Sequence, residues 1–156
     1  MSRKLNKETS KGMPGITETN QSEELKNKII IDEGLKAFLD GLLMGEGRLG
    51  AINHATYYFQ RCAKREWLEY IQKYLNDHGI DSTITPVKAL IYCKECSVYD
   101  LKTKEYVELN TFRKRWYPKG EKRVPKDIDI SSPIFLANWY VGSGFLEKGR
   151  GITPSI

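Results

Sequence analysis

The stretch that most constrains the fold is an apolar helix that carries two glycines and ends on a carboxylate. From Glu33 to Gly45, residues Leu35, Phe38, Leu39, Leu42 and Leu43 recur at i, i+3, i+4, i+7 and i+8, the spacing of one helical face. Gly41 and Gly45 stand one turn apart beside that stripe. Each glycine costs a helix about 1 kcal/mol relative to alanine, so the pair predicts a tight seam with a second helix. Next comes Glu46, between Gly45 and Gly47, where its charge meets the negative end of the helix dipole. A divalent cation relieves that conflict. Magnesium takes oxygen ligands and commonly uses one or two carboxylates with water and phosphate. Two such helices packed in parallel bring two carboxylates to one end, which suits metal-assisted phosphodiester hydrolysis. An ordinary exposed helix-end glutamate fits the same residues.

The remaining elements follow from periodicity and punctuation. Arg48–Ile52 and Ala55–Gln60 read as strands around an Asn53-His54 turn. Glu66–His78 is a second helix with Trp67, Leu68, Ile71, Leu75 and His78 inward, stopped at Gly79. Thr83–Val87, Leu90–Cys93 and Ser97–Leu101 suit strands, and Glu105–Trp116 a third helix. Tyr117-Pro118-Lys119-Gly120 is a turn. Ser132 caps a fourth helix, with Pro133 at its first position, running to about Val141. The order predicts an α+β domain with an antiparallel sheet. Residues 1–28 are polar, without periodicity, and read as a mobile tail.

No apolar run approaches a membrane span, and the N-terminus has no signal-peptide pattern. The expectation is a soluble intracellular protein. Cys93 and Cys96 form a single C-x-x-C, while a structural zinc site needs four ligands. Zinc is therefore not expected, and the pair reads as two strand cysteines, one facing in and one out. Charge is concentrated. Lys102 to Lys126 holds nine basic residues against three acidic ones, a net +6 in a chain of net +5. That surface favours a polyanion through counterion release, or is simply a solvated basic face.

Four segments in order resemble the LAGLIDADG homing endonucleases of the single-chain, two-motif type. They are FLDGLLMGEGRLG, REWLEYIQKYLNDHGI, YDLKTKEYVELNTFRKRWYPKGEKRVPKDI and SSPIFLANWYVGSGF, spanning about Gly34 to Gly144. The resemblance implies an αββαββα half (29–130, including the connecting basic segment), followed by the start of a second half (131–156, its motif helix only). It also implies two motif helices packed at the centre and sheets forming a saddle on double-stranded DNA.

By position in the family pattern, Glu46 is the catalytic, metal-binding acid, with the backbone of Gly45 beside it and Mg²⁺ or Mn²⁺ as cofactor. Lys122 matches a basic residue near the reacting phosphate. Arg48, Gln60, Arg61, Arg113, Lys114, Arg115, Lys119 and Arg123 are the expected DNA contacts. Gly41, Gly45, Ala137 and Val141 are the expected helix seam. One departure weighs against activity: Ser143 stands where the family carries its second acid. Three readings follow. The first is a site-specific endonuclease with reduced or lost cleavage. The second is a DNA- or RNA-binding module without catalysis. The third is a remnant that lacks its partner half. A homodimer through Gly41 and Gly45 would restore a two-acid site.

Overall fold

The computed structural model describes residues 29–147 and 151–154; the predicted tail at 1–28 lies outside them. The elements are α1 (Glu33–Met44), β1 (Arg48–Ile52), β2 (Ala55–Cys62), α2 (Arg65–Asp77), β3 (Ser82–Ile91) and β4 (Lys94–Thr103). A 3-10 turn (Val107–Leu109) then leads into α3 (Asn110–Trp116), α4 (Pro133–Ser143) and the short strands β5 (Gly144–Glu147) and β6 (Gly151–Pro154). The first seven reproduce the expected αββαββα order. No helix among the described residues is long and apolar enough to cross a membrane.

β1 to β4 form one antiparallel sheet in the order β1-β2-β4-β3. One face is buried by helices. Tyr58, Gln60 and Leu101 point into it and are almost fully buried, against Leu35, Phe38, Leu39, Leu42 and Leu43 of α1 and Leu68, Ile71 and Leu75 of α2. Each such apolar side chain contributes roughly 1.5–3 kcal/mol on burial. Asp32 caps α1 by accepting from the Leu35 amide at 2.7 Å. Ser132 does the same for α4, accepting from Phe135 at 3.4 Å.

Three expectations about elements are corrected. Ser82–Thr103 holds two ten-residue strands, not three short ones, because Tyr92 and Cys93 turn the chain with φ of 51° and 61°. Cys93 is thus an exposed turn residue and only Cys96 lies in a strand. The third helix starts at Asn110 rather than Glu105, because Tyr106 instead forms a β-bridge with Thr56. The second half also goes beyond its motif helix, since β5 and β6 pair as an antiparallel hairpin.

At Gly41 the α1–α4 seam is tight. A Cβ on Gly41 would stand 2.5 Å from the Phe135 carbonyl oxygen and 3.0 Å from Asn138 Cβ. The N-terminal turns of α1 and α4 line one common pocket. The residues that α4 presents differ from expectation, however. Ala137 and Val141 are exposed, whereas Phe135 and Asn138 are buried. The helix is apolar on nearly every side, so its sequence does not specify its rotation. The face of Gly41 is covered by α4 of the same chain.

Candidate nucleic-acid interface and acid site

Glu46 emerges from a turn built by its two glycine neighbours. The amides of Gly45 and Gly47 both donate to the Leu42 carbonyl, at 3.1 and 3.0 Å, and wrap the chain around the end of α1. Gly47 is buried, and a Cβ there would lie 2.7 Å from both that carbonyl and the Tyr58 hydroxyl. The turn leaves Glu46 exposed. On its other side, Lys122 Nζ donates to the carbonyls of Gly45 (3.0 Å) and Gly47 (2.6 Å). The structure therefore joins Glu46 and Lys122 across more than seventy residues. The Gly45 carbonyl expected to help hold a metal accepts from this ammonium.

The Lys122 stem is exposed, but its ammonium end sinks against the protein. Desolvation there, with Arg48 adding repulsion and Glu46 partly offsetting it, lowers its pKa from 10.5 to about 8. The unfolded chain then binds more protons than the native one between about pH 8 and 10.5, so stability rises with pH across that window. Lys122→Met is expected to flatten that rise in denaturant titrations. An equally steep rise in the variant would assign it to another group.

The sheet face away from the helices carries the other candidates. By register, Arg48, Phe59 and Lys102 form one row across β1, β2 and β4. Arg61 and Asp100 form the next and are joined by a two-point ion pair, Nε to Oδ1 at 2.7 Å and Nη2 to Oδ2 at 2.8 Å. Lys102 Nζ lies 4.5 Å from the centre of the Tyr57 ring, which itself covers Gly50. Glu46, Arg48, Phe59 and Arg61 line one shallow pocket at the end of this face. Sequence reasoning missed Lys102 as a site residue, along with Tyr57 and Asp100. The alternation Tyr57, Phe59, Arg61 opposite Tyr58 and Gln60 was the signal that separates outer from inner positions.

Two expected DNA contacts are corrected. Gln60 is 2 % exposed on the inner face and accepts from the Tyr58 hydroxyl. Arg115 is spent on a buried ion pair. Its Nη1 and Nη2 reach the two carboxylate oxygens of Asp40 at 2.7 and 3.0 Å, and its Nε reaches Asp127 at 2.8 Å. Trp116 Nε1 completes the Asp40 shell at 2.9 Å. Arg113 and Lys114 flank the Asn53-His54 turn, at the opposite end of the β1–β2 hairpin from Glu46. Lys119 is exposed, and Arg123 is exposed with Glu121 at 3.6 Å. Ser143 is the last residue of α4, and its side chain lies outside the described residues.

Glu46 is the residue of this face that would hold a hard cation. Glu46 offers exposed carboxylate oxygen beside open space, and no group of three or more His, Cys, Asp or Glu among the described residues makes a closed cage. Magnesium completes such shells with water and phosphate.

The sequence model of the LAGLIDADG DNA endonuclease family matches residues 36–154. An uncharacterized protein of Methanocaldococcus jannaschii, MJ1098, is 32% identical over 122 residues, covering 77% of this chain and 47% of its own length. The cytochrome b mRNA maturase bI2 of Debaryomyces hansenii is 26% identical over 130 residues, covering 78% and 49%. The chain thus spans about half the length of the curated relatives it matches. Among solved structures, the homing endonuclease I-WcaI bound to its DNA recognition sequence superposes with a TM-score of 0.68 at 12% identity, over 91% of this chain and 63% of that one.

Proposed function

Because the chain belongs to the LAGLIDADG DNA endonuclease family, we propose that it binds double-stranded DNA across the outer face of its sheet and hydrolyses a phosphodiester beside Glu46 with Mg²⁺ or Mn²⁺. The observation that carries this reading is the convergence of Glu46, Lys122, Arg48 and Arg61 at one end of that face. Glu46 holds the cation. The cation, when bound, polarises the phosphoryl oxygens and lowers the pKa of water. Lys122 keeps a positive charge beside the reacting phosphate. Arg48 and Lys102 bind phosphates and position the duplex. With Ser143 at the second acid position, one strand is cut in preference to both, and a supercoiled plasmid is converted mainly to open circles.

The test is cleavage of a supercoiled plasmid library in Mg²⁺ by this chain and by Glu46→Gln. The variant is expected to cut at least about 100-fold more slowly, since metal catalysis supplies several kcal/mol of transition-state stabilisation. Equal cutting by both proteins would remove Glu46 from the mechanism.

A second reading, a nucleic-acid binder without cleavage, is favoured by the maturase among the relatives. It requires retention of DNA or RNA that falls with salt, is unaffected by Glu46→Gln, and occurs with no cutting by either protein.

A further inference from the structure

We infer that Arg61, held by Asp100, is a guanine-reading residue, so that the duplex on this face carries a G·C pair next to the position Glu46 addresses. The inference rests on the reading of the sheet as a DNA-binding surface and deepens it.

The two bonds from Arg61 to Asp100 use Nε and Nη2, the side edge of the guanidinium. A guanidinium has five N–H donors in a rigid fork. With the side edge engaged, one hydrogen on Nη1 and one on Nη2 still point forward in parallel. That forward pair matches the O6 and N7 acceptors of guanine in the major groove, the commonest specific contact an arginine makes. Arg61 is exposed on the outer face, and it shares the shallow pocket of Glu46, Arg48 and Phe59.

The carboxylate does two things. It fixes the side chain before DNA arrives, so less conformational freedom is lost on contact. It also cancels the charge that would otherwise make Arg61 a general phosphate clamp. Asp100 belongs to the next strand, β4, and faces Arg61 directly in register, so the pair is built into the sheet. Arg48 and Lys102, in the neighbouring row, have no carboxylate partner among the described residues and suit phosphate.

The experiment selects bound duplexes from a random pool with the full chain, Arg61→Ala, Asp100→Asn and Lys102→Ala, and measures the salt dependence of each. Arg61→Ala is expected to lose about 10-fold or more of the preference for guanine at one position, with other positions and the slope against log salt unchanged. Asp100→Asn is expected to weaken the same position. Lys102→Ala is expected to weaken all sequences alike and to lower the slope by about one. A guanine preference that survives in Arg61→Ala overturns the inference while leaving DNA binding intact, as does a uniform loss with a reduced slope. Failure of the full chain to retain any duplex at low salt overturns the inference together with the function it rests on. Circular dichroism melts, unchanged in the Arg61 and Asp100 variants, exclude unfolding as the cause.

Discussion

Gly41→Leu is expected to lower the melting temperature by roughly 10 °C, about 3 kcal/mol for a domain of this size. A Cβ at Gly41 already lies 2.5 Å from the Phe135 carbonyl oxygen. That neighbour is backbone, so it does not yield by changing rotamer. α1 and α4 must therefore move apart, and the buried contact of Phe135 with α1 is lost. Release of α4 also frees Trp67, whose ring lies 3.2 Å from the Cβ position of Gly142. Tryptophan emission is expected to shift together with the melt. Gly34→Ala is the control. Its Cβ meets nothing closer than 3.4 Å, so the exchange is neutral or stabilises α1 by up to about 1 kcal/mol. A Gly41→Leu protein that melts with the parent would mean that the seam opens without cost.

Asp40→Ala is expected to destabilise the protein by about 3 kcal/mol, with little dependence on salt. The carboxylate is 3 % exposed and accepts from Arg115 and Trp116 together. Its removal leaves the buried Trp116 N–H without an acceptor and Arg115 with only its outer partner, Asp127. Asp127 is exposed, so Asp127→Ala is expected to cost under about 1 kcal/mol. Asp40→Asn keeps an acceptor for the indole and falls between them. Urea unfolding of the three variants, of Arg115→Ala and of the Asp40→Ala/Arg115→Ala and Asp127→Ala/Arg115→Ala double variants gives the couplings. Equal losses for Asp40→Ala and Asp127→Ala would show that burial does not set the strength of this cluster.

The parts of the fold legible in the sequence were those with a local signal. The stripe of α1, the Asn53-His54 turn and the Ser132-Pro133 start all carry residues chosen for one geometry. The Tyr92-Cys93 turn carries none, yet both residues adopt positive φ because a two-residue hairpin loop needs it. Asp40 was unreadable for another reason. Nothing near it announces that Arg115 and Trp116, seventy-five and seventy-six residues later, complete its shell. Arg115 was read by its charge as a DNA contact, and charge alone does not distinguish an exposed arginine from a buried one. Glu46 and Lys122 were placed by resemblance to a family pattern. Their meeting at the Gly45 and Gly47 carbonyls is a tertiary contact that no periodicity encodes.

The Lys122 contact joins residues separated by 75 and 77 positions, and it rests on an exposed stretch between α3 and α4. Such a contact opens more readily than the core, because few buried groups hold the segment that brings it. Competence of the site is then a separate equilibrium from the integrity of the core. A preparation with native ellipticity and a normal melt can still have its ammonium displaced from the Gly45 and Gly47 carbonyls. Exchange of the Arg123 amide, which donates to the Trp116 carbonyl at 2.7 Å beside Lys122, is then a better measure of the site than thermal stability.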